Sequence, residues 1–473
     1  MSHMTFSKPI VMKFGGTSVE DAQAFERVRG IVRASADAPL VIVVSAMSYV
    51  TGALRASVRQ AASGDAVAGA QMLDEHFERH TNIARALLTT ESPIVEAAIA
   101  SARLESAELL RSVAAQLRPL SLLQDAIISY GELLSAMLLA AVLREAGLPA
   151  RYVDARRCII TDESYGCAAP LVEETAHQTC AELLPLLEAV KIPVLGGFIA
   201  SSKSGETTTL GPNSSDYTAA LVGAALSALE IQIWTDVTGV LTADPRVVNT
   251  ARTIPHLSYA EAVELAYSGA KVLHPMTIQS AREQNIPVRI CNSRLPQEAG
   301  TLVCAETEIS PRTIKAIAHK TGVTIVQVTS ARMRGAHGFM RSLFEIFDRH
   351  RTSVDIVTTS EVSVSLSLDD ASALPAILTE LRQLGTVEVE NNRASICIIG
   401  KGLRGTPGIA ACVFDTIRDI NITLISQGAS SINLTFVIDQ AHICEAVARL
   451  HESFFASTLE ETPPVRVLAA VMN

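Results

Sequence analysis

Lys13 lies near the end of an apolar run, PIVMKFGGTS, and is followed by Gly15, Gly16, Thr17 and Ser18. Glycines let backbone amides approach an anion closely, and an ammonium on a flexible stem adds a point charge. Together they suit a phosphoryl group in transfer. No GxxxxGK[ST] pattern occurs, so this is not a Walker A loop. Taken alone, the segment fits an ordinary strand–turn–helix joint equally well, with Ser18 as helix cap and Glu20 and Asp21 in the first turn.

A second polar segment, TTTLGPNSSDYTAALV from Thr207 to Val222, runs into an Ala/Leu-rich helix. Its loop offers Asn213 and Ser215 but no cation, and Asp216 either orients a lysine elsewhere or caps the helix. Glu132 opens the apolar stretch LLSAMLLAAVL, where it suits the helix dipole as well as a ligand ammonium. Lys271 is either phosphate-facing or a solvated surface lysine. His274, before Pro275, reads as a packed turn residue rather than a base.

These residues need a scaffold. Residues 9–14, 39–46, 193–200 and 231–237 read as buried strands, and a helical pattern dominates 65–147. Apolar strands alternating with helices indicate an α/β sheet covered on both faces. The 473 residues, 48% hydrophobic and 19% charged, are those of a globular protein. A net charge of −10 disfavours nucleic acid and anionic membrane as partners. The apolar run at 133–143 reads as a buried helix too short to span a bilayer. The eight cysteines show no CxxC pair or zinc spacing, which fits reduced thiols in a cytoplasmic protein and no protein-held metal. No signal peptide is visible; the opening MSHM reads as a tag remnant, with Met4 as natural start.

Beyond the charged turn 306–312, two segments resemble one another at a spacing of about 68 residues. Each reads as strand, Gly-containing loop, helix and two-strand hairpin. The second holds a GxGxxG, Gly400 to Gly405. A dinucleotide site would need a crossover to a parallel strand and a later acidic residue, and a hairpin follows instead. A paired βαββ regulatory module is the better reading.

Five segments in order carry a family likeness: KFGGTSV, SYGELLSA at 129–136, TTTLG…SDYTAAL, WTDVTGVLTADPR at 234–246 and GAKVLHP at 269–275. The chain resembles the aspartate kinases of the amino-acid kinase superfamily, of the lysine-sensitive-like class with tandem ACT domains. The resemblance implies an α/β amino-acid kinase sheet sandwiched by helices over residues 1–305. Two ACT-like modules would follow over 313–390 and 391–473, the C-terminal strand completing the first. It implies phosphoryl transfer from ATP with Mg2+ to the side-chain carboxylate of aspartate, with Lys13, Asp216 and Lys271 catalytic. Gly15, Gly16, Thr17, Ser18, Thr235, Asp236, Asp244 and Arg246 would hold the nucleotide. Ser45, Thr51, Glu132, Asn213 and Ser215 would hold the acceptor, Glu132 meeting its ammonium. An amino-acid effector, lysine, would meet Met333, Gly338, Phe339, Ser353, Val354, Asp355, Ser360 and Glu361. ACT pairing implies a homodimer or a dimer of dimers.

The chain departs from the family pattern where the acceptor would bind. The family's TTTLGRGGSD places an arginine on the substrate α-carboxylate; Pro212, Asn213 and Ser214 stand here. Losing such a contact costs about 2–3 kcal/mol, roughly a factor of 30–150, unless another group compensates. Arg294 and Lys203 are candidate replacements. In VSAMGGVT the two glycines are Ser48 and Tyr49, and Thr238 and Leu241 are milder changes. Retained lysines and Asp216 favour a working kinase. The alternatives are a kinase with a changed acceptor and a catalytically silent ACT-based sensor.

Overall fold

The computed structural model describes residues 7–270, 275–305, 313–333 and 337–455. Among them, one compact unit comprises 7–240, 255–259 and 275–305, and a second comprises 241–254, 260–270, 313–333 and 337–455.

The first unit contains strands β1 (Ile10–Phe14), β2 (Leu40–Val44), β3 (Ala150–Val153), β4 (Ile160–Thr161), β5 (Ile192–Gly196), β6 (Ile199–Ser202), β7 (Thr207–Thr209), β8 (Glu230–Thr235), β9 (His256–Ser258), β10 (Val288–Asn292) and β11 (Thr301–Cys304). Eight form one sheet in the order β3-β5-β2-β1-β8-β10-β11-β9. From β3 to β10 every pairing is parallel, and β10–β11 is antiparallel. Continuous Val/Ile/Leu strands suit this arrangement, because crossover helices cover both faces. β1 lies between β2 and β8, with Phe14 opposite Val44 and Trp234. The loops that leave β1, β2, β5 and β8 therefore emerge together at the carboxyl edge of the sheet, where α/β folds bind ligands.

Residues 193–200 are not one strand. The chain breaks at Gly197–Phe198, and Ile199–Ser202 joins the small sheet β4-β6-β7. A side chain on Gly197 would lie 2.6 Å from Ser215 Cβ, so this turn lets the chain pass against the start of the helix Ser215–Ala225. The apolar stretch at 133–143 also proves longer than it reads. Leu120–Glu145 is long and apolar enough to cross a bilayer by length and composition, but 78% of its most apolar part is buried within the protein. Burial accounts for its composition; shortness does not.

The second unit is built on β12 (Ile314–Thr329), β13 (Val357–Thr359), β14 (Ser363–Leu368), β15 (Thr386–Gly400), β16 (Ile422–Gln427) and β17 (Asn433–Asp439). They form one sheet, β13-β14-β12-β15-β17-β16. Each hairpin is followed by a further helix, Leu374–Leu384 or Ile443–Phe455, beyond the repeat legible in the sequence. β12 and β15 pair antiparallel along most of their length, so β15 runs through residue 390, where one module was expected to give way to the next. Two large apolar cores result, with a smaller cluster of Val323, Ile325, Leu424 and Val437 beside them. Val326, Val328, Leu343, Phe347, Leu366 and Ile377 form one, and Ile317, Ile396, Ile398, Val413, Phe436 and Leu450 the other. Ala243 and Val248 join the second core, and the Ile317 amide donates to the Thr242 carbonyl at 2.8 Å. That packing draws 241–254 out of the segment expected to be catalytic. The first glycine of the GxGxxG serves the sheet: any side chain on Gly400 would collide with the Thr313 carbonyl.

Candidate active site

Lys13 is the fourth residue of the central strand, and its ammonium lies 2.7 Å from Asp216 Oδ1. The two side chains are only 10% and 13% exposed. An unpaired charge so placed costs several kcal/mol, so each group secures the other. Asp216 is the second residue of its helix and does not act as the cap; its carboxylate crosses to the lysine instead.

The glycines after Lys13 are needed for close approach. The Gly15 amide donates to the Trp234 carbonyl at 3.0 Å, and a side chain on Gly16 would lie 2.8 Å from the Ala46 carbonyl. The Ser48 amide donates to the Gly16 carbonyl at 3.3 Å and the Ser45 amide to the Phe14 carbonyl at 3.0 Å. The loops after β1 and β2 are thus laced together. Arg79 adds a clip, donating from Nη1 to the Ser48 carbonyl at 2.8 Å and from Nε to the Glu20 carbonyl at 3.0 Å. Thr17 and Ser18 lie in a short 3₁₀ turn, and Ser18 does not cap the following helix. Its hydroxyl donates to Ser293 Oγ at 2.9 Å, while Asp21 takes the cap by accepting from the Ala24 amide at 2.7 Å.

Glu132, the third residue of the helix Tyr130–Glu145, is 3% exposed, and its Oε2 has no hydrogen-bond partner among the described residues. Burial pushes its carboxyl up to about 8, against the Ala46 and Glu132 amides and the charge of Arg55, which favour ionisation. Side chains added to Gly131, Gly196 and Gly197 would lie 2.8 Å from Ala46 Cβ, 3.0 Å from Glu132 Cβ and 2.6 Å from Ser215 Cβ. Ala46, Glu132, the Gly196–Gly197 turn and Ser215 therefore converge. Thr51 begins the adjacent helix Val50–Ala62 as its second residue.

In the loop from Thr207, Pro212 and Asn213 are exposed, and Asn213 is left-handed at φ 61°. Ser214 Oγ donates to the Gly211 carbonyl at 2.7 Å. The group that anchors the loop is Asp125, which carried no sequence signal beyond being one acid within LSLLQDAII. Completely buried, it accepts from the Gly166 amide at 2.8 Å, the Thr209 amide at 2.9 Å and Thr209 Oγ1 at 3.0 Å. Burial pushes its carboxyl up, opposed by those donors and by the Arg55 charge. Both candidate replacement cations already have partners: Arg294 pairs with Glu20 at 3.1 Å, and Lys203 pairs with Glu174.

At the end of β8, Thr235 Oγ1 donates to Asp236 Oδ1 at 3.2 Å, and the Ser293 amide donates to the Thr235 carbonyl at 2.8 Å. Asp244 and Arg246 belong to the second unit. There they form a two-pronged pair, Nε–Oδ1 3.0 Å and Nη2–Oδ2 2.7 Å, which holds the Asp244 carboxyl below its ordinary range. Lys271 and His274 lie outside the described residues.

Of the effector candidates, Met333, Phe339 and Val354 pack against the first module's core. Gly338, at φ 88°, leads into the helix Phe339–Arg349. Ser353, Asp355, Ser360 and Glu361 are exposed; Ser360 closes a tight turn on Ser363, with 2.7 Å between hydroxyls. Asp355 is pushed up by desolvation and by the neighbouring Asp369 charge, with Lys320 opposing.

A buried lysine–aspartate pair and a buried glutamate at the carboxyl edge of a parallel sheet, followed by a regulatory sheet, define a phosphotransferase of the amino-acid kinase class. The Amino acid kinase family model matches residues 8–292, and an ACT domain model matches 396–454. Lysine-sensitive aspartokinase 3 of Escherichia coli is 38% identical over 458 residues, covering 95% of this chain and 100% of that protein. The crystal structure of E. coli aspartokinase III in complex with aspartate and ADP superposes with a TM-score of 0.84 at 37% identity, covering 95% of this chain and 100% of that one. The same enzyme with lysine and aspartate gives 0.78 at 37% identity and the same coverage. The chain belongs to the aspartokinase family, amino-acid kinases with an ACT-type regulatory region.

Proposed function

We propose that the protein transfers the γ-phosphoryl group of ATP to the side-chain carboxylate of L-aspartate, giving 4-phospho-L-aspartate and ADP, under lysine control. The observation that carries this reading is the Lys13–Asp216 pair at the carboxyl edge of the sheet, one strand from the loop holding Ser45. Such a transfer needs little covalent help and much charge stabilisation. A carboxylate oxygen of the acceptor attacks the γ-phosphorus, and the bond to the β–γ bridging oxygen breaks. Lys13, oriented by Asp216 and joined by Lys271, meets the charge on the transferring group. The amides of Gly15, Gly16, Thr17 and Ser18 cradle phosphate oxygens, with Thr235 and Asp236 beside the nucleotide.

Glu132 takes the acceptor ammonium. Desolvated and neutral when alone, it ionises against a cation, so binding and deprotonation are coupled. Among the described residues no three His, Cys, Asp or Glu side chains converge as metal ligands. Magnesium would arrive with the nucleotide phosphates, where it would neutralise charge. The lysine effector would sit at the Gly338 end of its helix, where backbone amides suit a carboxylate and Asp355 suits an ammonium. Two chains paired through their ACT modules, in the cytoplasm, complete the proposal; all eight cysteines are free thiols. The test is ATP turnover with hydroxylamine trapping of the acyl phosphate. Aspartate-dependent hydroxamate is expected, and its absence with intact nucleotide binding would reject the reading.

A further inference from the structure

We propose that Arg55 is the cation that receives the acceptor's α-carboxylate, so that the clamp missing at residues 212–214 has moved to the helix after β2. The inference rests on the aspartate reading: that acceptor brings one ammonium and two carboxylates, and only one carboxylate goes to the phosphoryl group. The second needs a positive partner, because a neutral loop leaves a desolvated anion uncompensated.

Several other cations of this unit are, among the described residues, committed. Lys13 holds Asp216, Arg79 clips two backbone carbonyls, and Arg294 holds Glu20. Arg156 pairs with Asp154 at 2.6 Å, Arg118 with Glu206 at 2.5 Å, and Lys203 with Glu174. Arg55 differs. It is partly buried, and its buried Nε has no hydrogen-bond partner among the described residues. A guanidinium has five donors in a fixed fork, and hiding one unused is costly unless an acceptor arrives.

Its position fits. Arg55 stands four residues after Thr51 on the helix Val50–Ala62, hence on the same face. Its neighbour Leu54 and Val50 pack at the start of the Glu132 helix, 3.4 and 3.5 Å from where a Gly131 side chain would begin. Its charge acts on Glu132, the proposed ammonium partner, and on Asp125, which anchors the Thr209 end of the rebuilt loop. One acceptor can thus lie with its ammonium on Glu132 and its α-carboxylate on Arg55.

The rival reading makes Arg55 only a counter-ion for Glu132, and a pair of acceptors separates the two. L-Aspartate and its α-amide share the ammonium and the reacting carboxylate but differ in the group assigned to Arg55. With the full-length protein, Arg55→Met should weaken L-aspartate about 30- to 150-fold, read as KM in hydroxamate trapping and as Kd in calorimetry. The KM for ATP and the thermal midpoint should stay near wild type, the α-amide should change less than about threefold, and Arg55→Lys should recover part of the loss. Equal losses on both acceptors, or an aspartate Kd within about threefold of wild type, would overturn the assignment. Because Kd needs no turnover, a wild-type enzyme inactive on aspartate would reject the proposed function while Arg55 is still judged on binding.

Discussion

On the side of the site proposed for the phosphoryl group, Lys13 and Asp216 meet at 2.7 Å and the Gly15 amide finds the Trp234 carbonyl. On the acceptor side, Glu132 Oε2 and Arg55 Nε are both buried and, among the described residues, without hydrogen-bond partners, whereas buried Asp216 Oδ1 has the Lys13 ammonium beside it. The backbone differs as well. Left-handed non-glycine residues occur elsewhere just past helix ends, as at Gln116, Val190, Ser227 and Asn285, where that geometry is ordinary. Tyr49, Phe198 and Asn213 instead lie on loops after β2, β5 and β7, at φ 73°, 64° and 61°. The closed side is set before any ligand binds. The open side holds strain and unmet polar groups that a ligand can relieve, which is where specificity can be rebuilt without disturbing phosphoryl chemistry.

Lys13→Ala should break the closed side outright, with kcat falling by about 10³-fold or more and little change in acceptor binding by calorimetry. A comparable loss of acceptor binding would mean that the two sides are not separable. Glu132→Gln should weaken acceptor binding by one to two orders of magnitude, roughly what a buried charge-assisted bond contributes.

The same variant has a signature in pH. Glu132 in the ligand-free fold holds its proton up to about 8, against an ordinary 4.5, so over that window the unfolded chain binds fewer protons than the folded one. Stability then falls as pH rises from about 5 to about 8, by about 3 kcal/mol from this residue alone. Urea denaturation of Glu132→Gln should show that much less loss over the same interval; parallel curves would show that the carboxyl is not held neutral.

Asp125→Asn places an amide against three donors and should destabilise the protein by about 2–3 kcal/mol, with the acceptor KM rising more than the ATP KM. A purely global destabilisation would move both constants alike. Smallest is Tyr49→Gly. The tyrosine is 83% exposed at φ 73°, so glycine relieves strain with little packing to lose. A net gain of about 0.5–1 kcal/mol in thermal unfolding is expected, with a change in the ratio of kcat/KM between aspartate and its analogues. An unchanged ratio would take Tyr49 out of the acceptor site.

Much of this was legible before any tertiary structure. The apolar strands of the kinase sheet, the glycine joint after Lys13 and the repeat beyond residue 313 are local patterns, set by backbone sterics and side-chain periodicity. The two halves of TTTLGPNSSDYTAALV were also separable by eye: a helix carrying Asp216, and a loop stripped of charge. Less visible were the roles that depend on distant partners. Ser18 looked like a cap until Ser293, far along the chain, was found beneath its hydroxyl. PVLGGFIA looked like one strand because nothing local shows that Ser215 presses on Gly197.

What the chain determined by itself was therefore the class of chemistry and the order of elements, since both follow from short-range pattern and composition. What only the tertiary structure decided was which charges meet. Lys13 and Asp216 are neighbours because β1 and the helix after β7 reach the same edge of the sheet. Arg55 falls within the electrostatic reach of Glu132 because their helices pack through Val50, Leu54 and Gly131. Coulomb interaction and desolvation depend on distance and burial, and neither is a property of position along a chain.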